Sequence, residues 1–268
     1  MLRKFAAIII FLVLIYVPSA CKQWFSATSE PVNNTYYQIL LPKTGQTTCY
    51  DATGTKIPCG GTGQDGEYQR GVSLSGPRFR DNGNGTITDR LTGLMWEKSP
   101  STTTYTWSNA LTTRIAELNS TALGGYSDWR LPNVNELASL MNFGQGNTAG
   151  WLNSQGFYNV QPDIYWSSSR YSSTQFWYLG MNSSTLNVNN AIQSYYVLAV
   201  RGNGNAGAVS VPKTGVTISV STGDDGQFQR GVSWPSPRFI DNGNSTITDR
   251  LTGLMWIKDG SASGSKIW

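Results

Sequence analysis

The chain has 268 residues, of which 39% are hydrophobic and only 13% are charged, and it contains no histidine. Few charges together with many aromatic residues exclude a disordered chain, and the richness in Gly, Thr, Ser and Asn excludes a helix bundle or a coiled coil. The lack of histidine excludes Ser-His-Asp and Cys-His catalysis and His-ligated zinc. This composition is typical of a turn-rich, strand-rich domain outside the cytoplasm.

The amino end has the pattern of a secretory signal. Arg3 and Lys4 precede an apolar run over residues 5–17, which is too short for the roughly 30 Å hydrocarbon core of a membrane. The following Ser-Ala-Cys resembles a bacterial lipobox, which would make Cys21 the acylated first residue. Ordinary cleavage near this point and an uncleaved anchor are the alternatives. We predict a signal peptide over residues 1–20 and an outer-membrane lipoprotein, periplasmic or cell-surface location, with membrane contact only through the lipid anchor.

The charge of the chain does not favour a nucleic-acid partner. The formal net charge is +4, and removal of the signal peptide takes away two of the basic residues. A near-neutral surface lacks the strong basic field that nucleic-acid binding needs.

Cys49 and Cys59 lie on either side of a short loop that contains Gly54 and Pro58. In an oxidising compartment, two cysteines this close around a turn usually form a disulfide. Two free thiols are the alternative, and a metal site would lack further ligands. We predict a Cys49–Cys59 disulfide.

An internal repeat organises the chain. Residues 64–98 are identical to residues 224–258 at 26 of 35 positions, and the Pro-Lys-Thr-Gly of residues 42–45 recurs at residues 212–215. The second copy lacks the stretch that holds both cysteines, which supports a local disulfide on an optional loop. The period is too long for a solenoid or a propeller blade, so the chain is predicted to be a tandem domain.

The repeat divides the chain behind the signal peptide into three parts. Residues 21–75 are predicted to be an extended lead-in with the Cys49–Cys59 loop, residues 76–203 a complete domain, and residues 204–268 a truncated second copy. An isolated hairpin is marginally stable. We therefore expect residues 204–268 to be loosely ordered or to dock on the first copy or on a neighbouring molecule. We also expect deletion of residues 206–268 to change the stability of the first copy by no more than about 1 kcal/mol.

The predicted elements follow an α+β order. The Asn-Gly-Asn-Gly of residues 82–85 indicates a hairpin, followed by a short buried strand over residues 94–96. Two helices follow, one capped by Thr106 and one beginning with a capping box formed by Asn133 and Glu136. Short β-rich segments separated by Ser/Asn turns then complete the domain: 165–166, 176–179, 186–188 and 195–200.

Four motifs, taken in order, resemble one family. They are the run from Asp81 to Trp96, Asp128-Trp129-Arg130-Leu131-Pro132-Asn133, Tyr165-Trp166-Ser167-Ser168-Ser169, and Val197 to Arg201. Over about residues 77–202 they look like the domain of unknown function at the C-terminus of the Legionella collagen-like adhesin. The resemblance implies a C-type-lectin-like fold, a surface or periplasmic setting and a homo-oligomer. In that adhesin the domain binds sulfated glycosaminoglycans, whereas this chain has no collagen-like tract.

Three residues are candidates for ligand binding. Aromatic faces can stack on sugar rings, although most tryptophans of a small domain pack in its core. Trp151, in the glycine-rich stretch 144–156, is predicted to be the exposed exception, and Trp177 is a second candidate. Arg130 either pairs with a buried carboxylate or contacts a ligand.

The first hairpin is a weak candidate for calcium. Its oxygen donors at short spacing are Asp81, Asn82, Asn84 and Asp89. Calcium takes six to eight oxygen ligands, but the spacing is not that of an EF-hand. We favour a structural hairpin and predict neither metal nor cofactor.

The sequence favours binding over catalysis. Asp128, Glu136 and Asp163 could in principle form a hydrolase pair, but nothing in their spacing supports it. The leading hypothesis is a non-catalytic surface domain for adhesion that binds a glycan or another surface ligand. The alternatives are a structural envelope protein without a small ligand and a carbohydrate-active hydrolase.

Overall fold

The structure of this chain, a computed structural model, describes residues 39–261. The predicted signal peptide and Cys21 lie outside the described residues. Short antiparallel strands are combined with short helices, so the fold belongs to the α+β class.

The elements of the lead-in and of the first hairpin come first in the chain. The lead-in carries β1 (Cys49–Tyr50), β2 (Lys56–Ile57) and α1 (Asp65–Tyr68), and the first copy begins with β3 (Phe79–Asp81), β4 (Thr86–Asp89) and β5 (Met95–Glu97). The lead-in contains the predicted disulfide between Cys49 and Cys59.

The helices of the first copy lie between its two groups of strands. After β6 (Tyr105–Thr106) come α2 (Trp107–Asn109), a π-helical segment (Ala110–Ile115), α3 (Ala116–Ser120), a 3-10 turn (Leu123–Gly125), α4 (Val134–Ala138) and α5 (Thr148–Ser154). The α2–α3 segments form one helical run that begins as predicted, because Thr106 accepts a hydrogen bond from the Asn109 N–H. The predicted capping box is also present, since Asn133 and Glu136 bond reciprocally at 2.9 Å.

The remaining strands complete the first copy, and the second copy follows. These elements are β7 (Ile164–Arg170), β8 (Gln175–Gly180), β9 (Thr185–Asn190), β10 (Ser194–Tyr195), β11 (Val200–Arg201), α6 (Asp225–Phe228), β12 (Phe239–Asp241), β13 (Thr246–Asp249) and β14 (Met255–Ile257). The larger sheets have the orders β11-β5-β4-β3, β7-β8-β9 and β12-β13-β14, and every strand pair within them is antiparallel. The pairing register of β12–β14 repeats that of β3–β5, as the repeated sequence predicts.

Two clusters of buried side chains hold the first copy together. The first joins the β3–β5 sheet to α4 and α5, through residues that include Ile87, Trp96, Leu137, Leu140, Leu152, Leu198 and Val200. The second joins the helical run to β7 and β8, through residues that include Trp107, Leu111, Trp129, Trp166 and Phe176. Most tryptophans of the first copy are buried in these clusters, as expected for large aromatic side chains.

The lead-in of each copy contacts the hairpin turn of the other. The Val209 N–H donates to the Leu91 carbonyl at 2.8 Å, and the Ile39 N–H donates to the Leu251 carbonyl at 3.0 Å. All four side chains are buried. We call this pair of equivalent contacts the reciprocal clasp.

Packing continues across the predicted boundary at residue 203. Val211 belongs to the first core cluster of the first copy. Asn135 donates from its side-chain amide to the Pro212 carbonyl at 3.1 Å, and Asn133 donates to the Arg230 carbonyl at 3.2 Å. The start of the second copy is therefore docked on the first.

Candidate functional site

Arg130 lies in the core and serves the scaffold. Its two Nη atoms donate to the Glu136 carboxylate at 2.7 and 2.6 Å, and Nη2 also donates to the Gly202 carbonyl at 2.8 Å. Both side chains are buried. The bidentate pair ties α4 to the end of β11, so Arg130 takes the structural one of its two predicted roles.

Trp151 differs in its setting from the sequence expectation. It lies in α5 rather than in a loop, because Asn147 accepts a hydrogen bond from the Gly150 N–H and caps a helix there. The indole is half-buried and packs edge-on against Phe79, with 5.7 Å between the ring centroids. Trp151 thus closes the first core cluster rather than standing out from the surface.

The oxygen donors of the first hairpin are engaged in hydrogen bonds and ion pairs within the protein. Asp81 binds Lys98 at 2.5 Å, and Asn84 donates to the Gly124 carbonyl at 3.0 Å. Asn82 bonds to threonine hydroxyls of β4, whereas Asp89 lies at the other end of that strand and holds Arg78 at 2.9 and 2.7 Å. Among residues 39–261, no group of three or more acidic, histidine or cysteine side chains is placed to hold a metal ion.

Trp177 lies on the exposed part of β8. The neighbouring Phe176 points to the opposite face of the sheet, where it stacks on Trp107 with 3.6 Å between the ring centroids, since successive side chains of a strand alternate. Trp177 is half-buried and packs edge-to-face with Tyr171 at 5.6 Å. Tyr171 is 60% exposed. The pair presents aromatic surface to the solvent.

Amide side chains flank this aromatic pair. Gln175 lies two residues before Trp177 on β8, and its cross-strand partner is Asn190 of β9. Val188 is the cross-strand partner of Trp177, so all four side chains share one face of the sheet. We call Tyr171, Gln175, Trp177, Val188 and Asn190 the aromatic platform.

An open groove adjoins the platform. It has a volume of about 250 Å³ and is lined by residues 170–172 on one side and by residues 215–218 of the second lead-in on the other. The Arg170 Nε donates to the Ser172 carbonyl at 2.6 Å. No other hydrogen bond of the Arg170 guanidinium is found within residues 39–261. The groove therefore combines an aromatic ring, backbone groups and one cation.

A buried carboxylate fixes the lead-in side of the groove. Asp225 Oδ2 accepts hydrogen bonds from the hydroxyls of Ser169 at 2.7 Å and Thr214 at 2.6 Å. Burial raises the pKa of Asp225, and these two hydrogen bonds oppose the shift. Ser169 immediately precedes Arg170, so this contact sets the position of the second lead-in beside the platform.

The carboxylates considered for hydrolysis are engaged elsewhere. Asp128 accepts from Arg201 at 2.6 and 3.2 Å, and this interaction holds its pKa below the usual value. Glu136 is bound by Arg130 in the core, and Asp163 accepts from the Ile164 N–H. Each of the three serves a local structural contact.

Comparison with known families identifies the segment that holds the platform. The matched region includes β5, the helices and the β7–β9 sheet. Residues 85–201 match the family model of the Lcl C-terminal domain. The resemblance seen in the four sequence motifs is thus confirmed. This family is associated with adhesins, which fits a surface role. A search of curated proteins found no match to the chain.

Sequence reasoning found one of the five platform residues. Trp177 was a candidate, but Tyr171 and the two amides were not. Gln175 and Asn190 are 15 residues apart and meet only through the register of β8 and β9. The one available signal was the alternation along β8, which places Gln175 and Trp177 on the same face.

Proposed function

We propose that this chain is a non-catalytic, secreted or lipid-anchored surface protein whose aromatic platform binds a glycan during adhesion. The observation that carries the proposal is the solvent-facing Tyr171–Trp177 pair flanked by Gln175 and Asn190. Ring faces can stack on the apolar face of a sugar, and amides can donate to and accept from its hydroxyls. The C-type-lectin-like fold implied by the family motifs supports the same function.

The other candidate residues favour the platform by elimination. Arg130 is buried in its ion pair, and Trp151 packs against Phe79. Trp177 is the sequence-predicted aromatic residue with a neighbouring exposed ring. The carboxylates Asp128 and Glu136 are each bound by an arginine, so the geometry gives no support to a hydrolase.

A glycan array probed with the full chain and with Trp177→Ala tests this function. We expect binding to at least one glycan class, and a loss of tenfold or more in the substituted chain, which corresponds to about 1.4 kcal/mol. Tyr158→Ala is the matched control, because Tyr158 is an aromatic residue that is 69% exposed on another loop. Thermal melting of each variant separates lost binding from lost folding.

The array also distinguishes the alternative of a purely structural envelope protein. That alternative predicts no glycan signal with either chain. Binding that survives in Trp177→Ala but is lost in Tyr158→Ala would place the site elsewhere and overturn the platform proposal.

A further inference from the structure

Among residues 39–261, nothing covers the apolar outer face of the β12–β14 sheet. Phe239 is 54% exposed and Trp256 is 56% exposed, whereas their counterparts in the first copy, Phe79 and Trp96, are 6% and 0% exposed. A cavity of about 480 Å³ lies on this face, with Ile247 among its lining residues. The same side chains are therefore core in one copy and surface in the other.

The first copy shows what covers such a face. There, β11 pairs antiparallel along the free edge of β5, with Val200 opposite Trp96. The Glu97 N–H donates to the Ala199 carbonyl at 3.0 Å. Val200 and Leu198 enter the first core cluster beside Trp96. An edge strand with apolar side chains thus completes a sheet of this sequence.

The edge of β14 keeps the features that β5 uses. Trp256 pairs with Ile247 as Trp96 pairs with Ile87. By the same register, the Ile257 N–H stands where the Glu97 N–H donates to β11. Within residues 39–261, no strand pairs with the outer edge of β14, and an unpaired edge beside apolar surface recruits further strands.

One sequence difference between the two copies changes the surroundings of this edge. Ile257 replaces Glu97, whose carboxylate is bound by the buried Arg114 in the first copy. An arginine placed beside Ile257 would be a buried charge without its carboxylate, which is strongly unfavourable. Because Arg114 belongs to the helical run and not to β11, this exchange leaves the strand-pairing groups of the edge unchanged and makes their surroundings apolar.

We propose that the β14 edge and the open face of β12–β14 bind an extended apolar strand of a partner polypeptide. The strand runs antiparallel to β14, and its backbone carbonyl accepts from the Ile257 N–H. Its alternating apolar side chains cover Trp256 and Phe239, as Leu198 and Val200 cover the first copy. This is the β-augmentation mode of peptide recognition, in which main-chain hydrogen bonds give affinity and side-chain pockets give specificity.

The test uses a fluorescent peptide with the sequence of residues 195–203, titrated with the full chain and followed by anisotropy. We expect saturable binding, weakened tenfold or more by Ile257→Pro, which removes the edge N–H, and by Trp256→Asp, which places a charge on the open face. Leu186→Asp is the matched control. It changes an apolar residue that is 37% exposed on another strand, β9, and should bind like the unchanged chain.

Two results would overturn this proposal. One is the absence of saturable binding at millimolar chain concentration, and the other is equal binding by the unchanged chain and both β14 variants. Equal binding would mean that the peptide exchanges with β11 on β5, because neither substitution touches that site. Thermal melting checks that both variants remain folded, and Trp177→Ala should leave peptide binding unchanged, since the platform lies on β8.

Discussion

Two buried carboxylates show how single residues shape this protein. Glu97 and Glu136 are both almost completely buried, and each is bound by an arginine. The Glu97–Arg114 pair connects β5 to the helical run, and the Glu136–Arg130 pair connects α4 to β11, because Arg130 bridges Val200. Since a buried charge without a partner is costly, these two pairs fix the relative positions of the elements they join.

The first prediction concerns the pH dependence that Glu97 creates. Burial raises the pKa of Glu97 to about 7, with Arg114 opposing the shift. A carboxyl whose pKa is higher in the folded than in the unfolded chain stabilises the fold fully below the unfolded value and loses this contribution as the pH rises through the folded value. Between pH 4.5 and 7, the contribution of Glu97 to the free energy of unfolding should fall by roughly 3 kcal/mol.

Denaturant unfolding of the unchanged chain and of Glu97→Gln over this pH range measures the effect. The free energy of unfolding of the variant should differ by a constant amount, because its bond to Arg114 is changed. It should lack the decrease with rising pH that Glu97 contributes. Parallel curves for the two proteins would contradict the prediction.

The second prediction concerns Arg130. Its replacement by methionine leaves Glu136 buried without its cation, and we expect a loss of about 3–5 kcal/mol in the free energy of unfolding. Lys98→Met is the control, because the Lys98–Asp81 pair is largely solvated and such surface pairs contribute about 0–1 kcal/mol. Equal losses in the two variants would show that the buried Arg130–Glu136 pair contributes no more to the free energy of unfolding than the surface pair does.

At the scale of elements, the lead-in is a module that occurs twice. In each copy the proline of the Pro-Lys-Thr-Gly segment forms an isolated β-bridge with a valine, Val72 or Val232. The threonine hydroxyl of the same segment donates a hydrogen bond to an aspartate at the start of a short helix. The disulfide is present in only one of the two modules. The second module keeps the same hydrogen bonds without it, so the disulfide stabilises an extra loop.

The third prediction follows for Cys49 and Cys59. Alkylation of the unreduced folded protein, read by mass spectrometry, should modify neither cysteine. Replacing both cysteines by serine should increase hydrogen exchange in β1 and β2 and leave β7 and β8 unchanged, because the crosslink restricts a loop of the lead-in only. Modification of both thiols would contradict the disulfide.

The sequence predicted elements best where the signal is local. Thr106 and the Asn133–Glu136 box marked two helix starts, because a cap and its helix lie within four residues of each other. The helix around Trp151 was missed, since three glycines in residues 144–150 favour a loop and the cap at Asn147 outweighs them. The platform depends on the register of β8 with β9, and the turn between these strands does not specify that register in the sequence.

At the scale of the whole molecule, the two copies share their packing. Val209 and Val211 follow the predicted domain boundary, yet both are buried, and Val211 lies in the core of the first copy. Residues 204–232 therefore complete the first copy as well as beginning the second. The sequence repeat places the domain boundary at residue 203. The packing places it further along the chain, because Val209 and Val211 are buried together with the first copy.

The fourth prediction separates these two parts of the second copy. Deletion of residues 206–268 should lower the free energy of unfolding of the first copy by at least about 2 kcal/mol, because it exposes the surface that Val209 and Val211 cover. This revises the loss of no more than about 1 kcal/mol that the repeat alone suggested. Deletion of residues 233–268 keeps both valines and removes only the Ile39–Leu251 contact of the clasp, so it should cost no more than about 1 kcal/mol. Denaturant unfolding measures both, and equal losses would contradict the distinction.

The reciprocal clasp has a mechanical consequence. If the chain is anchored at its amino end and binds a surface ligand, as proposed above, tension entering at Ile39 acts first on its hydrogen bond to the Leu251 carbonyl. That contact is a single backbone bond with one buried side chain on each partner, whereas the platform belongs to a three-stranded sheet. The weaker link should therefore open first. Opening of this contact would lengthen the chain between the anchor and the ligand while Trp177 and its neighbours remain folded. The clasp would thereby limit the force that reaches the binding site.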